Sequence, residues 1–214
     1  MNNKNKDYSY RVLETGLAEE NCTILKCNRT NECAIFDPGD DFNRIVEIVN
    51  KMKGIPVKII NTHAHYDHIG AIDQLMNKYN NIKLYCHKDE EEYFLDPEKN
   101  MSLRGIGKKI SIKPNFLLVE DDIISVGQLK LKTIHTPGHT KGGSCYLIND
   151  LLIAGDTIFA GSIGRSDLYG GNEKILIKMI HEKIATLPEG TIIIPGHGRS
   201  TTVREEKMFN PFLY

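Results

Sequence analysis

The first third of the chain alternates short apolar runs with polar segments. Three of these runs predict strands at Tyr8–Leu17, Thr23–Lys26 and Cys33–Phe36. The polar stretch Glu19-Glu20-Asn21 is expected to form the turn between the first two strands. After Asp41, apolar residues recur at helical spacing and predict a helix, and the β-branched run Val57–Ile60 then predicts a buried strand.

The rest of the chain mixes strands and helices without strict alternation. Apolar spacing predicts one helix that begins near Asp67 and another from Glu173 to Leu187. Further strands are expected at Lys83–Cys86, Phe116–Val119, Gln128–His135, Ser144–Ile148, Leu151–Ala154 and Thr191–Ile194. Residues 87–114 have a weak pattern that predicts a short helix and a long loop. This order favours two sheets with helices outside them, within one domain spanning residues 1–214.

Composition narrows the class of protein. With 214 residues, of which 40% are hydrophobic and 26% are charged, the chain can bury a core. Its net charge of −1 gives no reason to expect a nucleic-acid partner. The five cysteines include no C-x-x-C pair, so reduced thiols are expected. The polar N-terminus has no apolar segment typical of a signal peptide, and no run approaches the roughly 20 apolar residues that span a membrane. We therefore expect a cytoplasmic protein that does not bind membranes.

A dense group of metal-ligand residues directly follows the buried strand Val57–Ile60. The segment Thr62-His63-Ala64-His65-Tyr66-Asp67-His68 holds three imidazoles and a carboxylate. His63 and His65 are two residues apart, so an extended strand end directs both side chains to one face. Nitrogen and oxygen ligands at this density suit zinc, iron or manganese.

Three later residues extend the candidate metal site. His139, Asp156 and His197 each follow a predicted strand and have glycine beside or near them, which permits close backbone approach. Loop positions of this kind favour ligand roles. The remaining histidines, His87, His135 and His181, are expected to be surface or satisfied core residues.

Together these motifs resemble the metallo-β-lactamase superfamily, and within it the glyoxalase II-like (hydroxyacylglutathione hydrolase-like) hydrolases. The resemblance covers nearly the whole chain and is carried by THAHYDHIG at 62–70, TPGHTKGG at 136–143, AGDTIFAGSIGRSD at 154–167, PGHG at 195–198 and NPFL at 210–213. It implies an α+β fold, a four-layer αββα sandwich with metals at one edge of the two sheets. The short tail after His197 resembles the single-domain subgroup.

The resemblance also implies a role for each candidate residue. The first metal would be bound by His63, His65 and His139, the second by Asp67, His68 and His197, and Asp156 would bridge the two. The implied cofactors are two divalent metal ions, zinc first and iron or manganese as alternatives. They would hold a bridging hydroxide that attacks a carbonyl, with Asp67 and Asp156 as the catalytic carboxylates. No G-x-S-x-G motif supplies a serine nucleophile.

The implied substrate is a small-molecule thioester such as S-lactoylglutathione. Arg165 resembles a position at which glyoxalase II enzymes place a basic residue near the glutathione carboxylate. A mononuclear iron persulfide dioxygenase is the alternative, since the segment Gly161–Asp167 partly resembles that group. A non-catalytic binding module is disfavoured because all seven ligand residues are present. The oligomeric state and the role of residues 87–114 stay open.

Overall fold

A computed structural model of the chain describes residues 7–213. The first six residues and Tyr214 lie outside the described residues, and so does much of the N-terminal segment on which the signal-peptide prediction rests. Among residues 7–213, no helix combines the length and the apolar character needed to cross a membrane.

Strands form most of the regular structure. They are β1 (Tyr8–Thr15), β2 (Glu20–Cys27), β3 (Glu32–Phe36), β4 (Ile55–Ile60), β5 (Lys83–His87), β6 (Phe116–Leu118), β7 (Ile123–Val126), β8 (Leu129–His135), β9 (Ser144–Ile148), β10 (Leu151–Gly155), β11 (Ile158–Phe159), β12 (Ser162–Ile163), β13 (Ile192–Pro195) and β14 (Thr201–Thr202). The helices are α1 (Phe42–Lys51), α2 (Tyr66–Ile69), α3 (Ile72–Lys78), α4 (Glu91–Leu95), α5 (Ser102–Gly105), α6 (Glu173–Met179) and α7 (Val203–Phe209).

These elements form the predicted four-layer αββα sandwich. One sheet has the order β1-β2-β3-β4-β5-β6 and the other has the order β14-β13-β10-β9-β8-β7. A core that includes Phe36, Ile60, Tyr146 and Ile153 fills the space between the two sheets. A second core joins the outer face of the first sheet to α1 and α3, and a third joins the outer face of the second sheet to α6. The α+β prediction is therefore confirmed.

Strand direction brings several strand ends to one edge. Strand β8 is antiparallel to β9, β9 is antiparallel to β10, and β10 is parallel to β13. The carboxyl ends of β8, β10 and β13 therefore point the same way. The end of β4 in the other sheet is joined to this edge, because Ser144 N donates to Thr62 O at 2.9 Å and Tyr146 Oη donates to Asn61 O at 2.9 Å.

Several boundaries differ from the sequence prediction for identifiable reasons. The first turn comprises residues 16–19, and Glu20 and Asn21 belong to β2, because their buried side chains accept from Thr15 Oγ1 and donate to Pro195 O respectively. The helix expected near Asp67 is divided into α2 and α3. At the break, Gly70 lies against Gly39, where a Cβ would fall 2.2 Å from Gly39 O.

Other differences concern short elements. The pattern did not predict β7, β11, β12, β14 or α7, which have between two and seven residues each and therefore show little periodicity. The helix predicted from Glu173 to Leu187 is α-helical only to Met179 and continues as a π-helical turn over Ile180–Ile184.

The Tyr146 hydroxyl generates a prediction about stability. We expect Tyr146→Phe to lower the free energy of unfolding by about 1–3 kcal/mol, because the buried Asn61 carbonyl loses its hydrogen-bond donor. Denaturant unfolding of both proteins measures the difference. Tyr10→Phe is the matched control, since Tyr10 is only partly buried. Equal losses in the two variants would contradict the role given to this hydrogen bond.

Candidate metal centre

All seven predicted ligand residues lie at the edge where the strand ends meet. The segment 63–68 follows β4, His139 follows β8, Asp156 follows β10 and His197 follows β13. Glycines allow this convergence. A Cβ on Gly196 would fall 2.1 Å from Asp156 Oδ1, and a Cβ on Gly155, whose φ is +49°, would fall 2.1 Å from Thr62 Oγ1. The structure thus brings together the residues that the sequence singled out.

Three histidines form the first ligand set. His139 Nε2 lies 3.2 Å from His63 Nε2 and 2.9 Å from His65 Nδ1, and all three side chains are buried. His139 Nδ1 lies 2.6 Å from the Arg165 carbonyl, to which it can only donate. This tautomer leaves a lone pair on Nε2, directed at the other two histidines. Three such nitrogens at this distance suit a shared cation.

The second set consists of Asp67, His68 and His197. Asp67 Oδ2 lies 3.4 Å from His197 Nε2 and 3.9 Å from His68 Nε2. His197 Nδ1 lies 3.0 Å from the Ala18 carbonyl, to which it donates, and its Nε2 faces Asp67. One carboxylate and two imidazoles are a common ligand set for transition metals.

Asp156 lies between the two sets. Its Oδ1 is 3.5 Å from His68 Nε2, and its Oδ2 is 3.5 Å from His139 Nε2 and 3.8 Å from His197 Nε2. A carboxylate in this position reaches both sets, which is the arrangement required of a bridging ligand. The bridging role that the family resemblance implies for Asp156 stays a prediction.

The charges of this site fit bound cations. Burial opposes a charge on His68, yet Asp156, Asp67 and Asp37 outweigh burial and raise its pKa well above the usual range. The surrounding carboxylates therefore require positive charge, which divalent cations also supply. His68 Nε2 and Asp156 Oδ1 are buried without a hydrogen-bond partner among residues 7–213, and such atoms cost free energy unless something binds them. Burial lowers the pKa of His63 well below its usual range, which favours the neutral form that binds metal.

Two buried acids lie behind the histidines. Asp37 accepts from Thr62 N at 2.7 Å and from Thr62 Oγ1 at 2.6 Å, and its Oδ2 lies 3.3 Å from His68 Nδ1. Glu20 Oε1 lies 3.8 Å from the same His68 nitrogen. Carboxylates behind metal-binding histidines fix the orientation of the ring and raise its basicity.

Glu90 connects the two loops that carry the first ligand set. Its fully buried carboxylate accepts from Ala64 N and from Gly142 N, each at 3.0 Å, and also from the Thr140 hydroxyl. Ala64 lies between His63 and His65, and Thr140 follows His139. Burial raises the pKa of Glu90 to about 8, although these hydrogen bonds oppose the shift. We infer that Glu90 fixes the spacing of the three histidines.

The sequence analysis did not single out Glu20, Asp37 or Glu90. Asp37 had a detectable signal, since it ends a predicted strand and is followed by Pro38-Gly39, much as Asp156 ends one. Glu20 and Glu90 lie in acidic stretches that are typical of exposed turns and helices. Only the folded structure shows that they are buried.

A cavity of about 550 Å³ opens onto the ligand sets. Met101, Phe159, Ile163 and Leu168 supply apolar lining, whereas Arg104 and Arg165 supply charge. Arg165 is exposed, and its Nε and Nη2 donate to the two Asp167 oxygens at 2.8 Å each. The structure thus places Arg165 at the cavity with its guanidinium already paired, and its role in substrate binding stays a prediction.

The other three histidines lie outside the two ligand sets. His87 is buried and stacks on His135 with ring centroids 3.8 Å apart. Burial and the neighbouring His135 lower the pKa of His87 to about 4. Nδ1 of His87 accepts from Asp89 N, and Nε2 of His135 contacts Lys141 O at 2.9 Å. His181 lies exposed in the π-helical turn.

Comparisons with known proteins agree with this geometry. The family model described as "Metallo-beta-lactamase superfamily" matches residues 15–197. A Bacillus subtilis (strain 168) protein, "Probable metallo-hydrolase YqgX", is 43% identical over 209 residues, which are 95% of this chain and 97% of that protein. "Hydroxyacylglutathione hydrolase GloC" of Haemophilus influenzae is 29% identical over 199 residues, which are 91% of this chain and 93% of that protein.

Solved structures give the same result for the fold. The BLEG-1 B3 metallo-beta-lactamase is 36% identical with a TM-score of 0.90, over 96% of this chain and 99% of that one. TTHA1623 in a di-iron-bound form is 28% identical with a TM-score of 0.82, over 95% of this chain and 100% of that one. ETHE1 from Myxococcus xanthus is 24% identical with a TM-score of 0.80, over 95% and 83%, and shows likeness of fold alone.

The two ligand sets predict separable metal losses. We expect His139→Ala and His197→Ala each to reduce the metal content from about two ions per chain to about one, because each removes a ligand from one set only. Asp156→Ala should reduce it further, since Asp156 reaches both sets. Elemental analysis after dialysis measures the content. His181→Ala is the matched control, and two retained ions in every variant would contradict the assignment.

The buried Glu90 predicts an effect on affinity. We expect Glu90→Gln to weaken metal binding at the first set by about 10- to 100-fold, because the amide places N–H donors against backbone donors. Competition with a fluorescent chelator measures the affinity. The neighbouring Glu91→Gln is the control, since Glu91 is partly exposed and makes none of these bonds. Equal affinity in the two variants would show that Glu90 does not position the histidines.

Proposed function

The chain belongs to the metallo-beta-lactamase superfamily, and from that premise we propose that it is a dinuclear metal-dependent hydrolase that cleaves a thioester. A small hydroxyacylglutathione-type thioester is the substrate to test first. The observation that carries the proposal is the pair of ligand sets, one of three histidines and one of Asp67, His68 and His197, which Asp156 joins.

The site gives each side chain a distinct task. His63, His65 and His139 would hold one cation, and Asp67, His68 and His197 would hold the other. When bound, two divalent cations supply a strongly nucleophilic water at neutral pH and stabilise negative charge that develops on an acyl oxygen. Asp67 and Asp156 both line the 550 Å³ cavity, so their carboxylates can also accept a hydrogen bond from the attacking water and orient it.

The cavity supports a small acyl thioester. Its volume is typical of small-molecule sites, and its lining combines apolar side chains with two carboxylates and two guanidinium groups. The buried histidines exclude bulk water from one wall, which strengthens electrostatic stabilisation of the transition state. The likeness to the hydroxyacylglutathione hydrolase of Haemophilus influenzae supports the choice of glutathione as the first thiol carrier.

The proposal predicts metal-dependent hydrolysis of S-lactoylglutathione. We expect Asp156→Ala to lower kcat/KM by about 10³-fold or more, because one change removes a carboxylate shared by both ligand sets. Release of free thiol measures the rate, and elemental analysis of the same samples measures the metal. Asp73→Ala, an exposed position on α3, is the matched control and should leave both values unchanged.

Other outcomes would contradict parts of the proposal. A single iron per chain, with oxygen consumed on a glutathione persulfide and no thioester cleaved, would favour the persulfide dioxygenase that Gly161–Asp167 partly resembles. If the protein binds two metal ions per chain but cleaves no thioester, the proposal of a dinuclear hydrolase is retained and the thioester substrate is rejected. Penicillin belongs among the substrates tested, since the BLEG-1 structure is described as a B3 metallo-beta-lactamase.

A further inference from the structure

A second cavity, of about 300 Å³, adjoins the metal cavity. The two cavities share Tyr66, Asp67 and Gly105 as lining residues. Two walls of the second cavity come from residues 15–18, at the end of β1 and in the turn after it, and from residues 105–110, at the end of α5 and beyond it, and Gly39, Asp40 and Gly70 complete the lining. A molecule held at Asp67 could therefore extend into both cavities.

Close packing fixes the boundary between the cavities. A Cβ on Gly105 would fall 2.5 Å from Cε1 of Tyr66, so the tyrosine ring lies directly against this backbone. Tyr66 N donates to Asn100 O at 2.9 Å, which ties the tyrosine to the segment before α5. The opposite loop is tied to the metal site, because His197 donates to Ala18 O at 3.0 Å. The second cavity is thus a built extension of the site.

The side chains of this second cavity combine exposed apolar groups with free positive charge. Leu17 is fully exposed and Ile106 is 45% exposed, although both are large aliphatic residues. Lys108 and Lys109 are exposed, and no carboxylate of residues 7–213 lies within ion-pair distance of either. Exposed apolar residues beside unpaired cations are typical of a surface that binds an anionic ligand.

The acidic residues of the cavity do not form ion pairs with these lysines. Asp40 Oδ1 accepts from Asp41 N at 2.7 Å, and Asp67 is directed at His197, 3.4 Å away. Arg104, at the neighbouring cavity, already pairs with Glu98 at 3.3 Å. Lys108 and Lys109 are therefore the cations of this region that can pair with a ligand without breaking an existing ion pair.

We infer that the second cavity binds the anionic thiol-carrier half of the substrate, through its carboxylates or phosphates. The acyl group then occupies the apolar metal cavity, and the scissile bond lies at Asp67, where the cavities meet. Leu17 and Ile106 contact the aliphatic part of the carrier, and Lys108 and Lys109 pair with its anionic groups. This inference rests on the proposed thioester hydrolase function.

The test compares three thioesters that share one acyl group. Glutathione carries carboxylates, coenzyme A carries phosphates and N-acetylcysteamine is neutral. We expect the double variant Lys108→Gln/Lys109→Gln to raise KM for the anionic substrates by about 3- to 30-fold with kcat unchanged. KM for the neutral thioester should not change. A larger effect on glutathione or on coenzyme A identifies carboxylate or phosphate as the anion.

A matched double variant and a ligand that cannot be hydrolysed distinguish failure of this inference from failure of the proposed hydrolase function. Lys113→Gln/Lys174→Gln removes two exposed lysines outside both cavities and should leave every KM unchanged. If Lys108→Gln/Lys109→Gln leaves KM unchanged for all substrates, or raises it equally for the neutral one, the inference is overturned and the hydrolase stands. If no thioester is cleaved, calorimetry with S-methylglutathione decides: binding that weakens only in the Lys108/Lys109 variant supports the anion site, and unchanged binding overturns it.

Discussion

Positive charge compensates the largely buried carboxylates of Asp67 and Asp156, which lie against the fully buried His68. Burying a carboxylate without compensation costs several kcal/mol, and His68 has further acids, Asp37 and Glu20, on its other nitrogen. These carboxylates raise the pKa of His68, so that the ring holds a proton and supplies positive charge. Cations at the two ligand sets would supply the same positive charge, so metal binding would also stabilise the sheet edges.

Hydrogen bonds from the candidate ligands also hold the loops at this edge of the sheets. His139 donates to the Arg165 carbonyl and His197 donates to the Ala18 carbonyl. Each hydrogen bond sets the tautomer of a ligand and also fixes a loop that lines a cavity. Glu90 also fixes these loops, since its side chain accepts from Ala64 N, between His63 and His65, and from Gly142 N, after His139. A shift of the metal ligands would therefore move the cavity walls as well.

The sequence predicted the candidate ligands from two kinds of local signal. His139, Asp156 and His197 are ligand-type side chains that follow a strand and lie near glycine, and His63 follows a strand within a dense group of ligand-type residues. The sandwich followed from the order of strands and helices and from the family resemblance. Glu20 and Glu90 could not be predicted, because the sequence pattern does not show the hydrogen bonds that permit their burial: Thr15 donates to Glu20 across the turn between β1 and β2, and Thr140, which donates to Glu90, is 50 residues away in the sequence. Residues 87–114 gave little periodicity because their helices have only four or five residues.

Under the proposed thioester hydrolysis, specificity for the thiol carrier would depend on cations that are not already paired. An arginine held by a carboxylate at 2.8 Å through two nitrogens, as Arg165 is by Asp167, must exchange one anion for another when it binds a ligand. That exchange gives little net free energy in an exposed position. Lys108 and Lys109 lose only solvent contacts when they bind an anion. They can therefore discriminate anionic from neutral carriers with a smaller loss of free energy than Arg165. In the proposed hydrolase, the ligand sets at the strand ends would therefore determine the chemistry, and the loop that carries the unpaired lysines would determine which thiol carrier is bound.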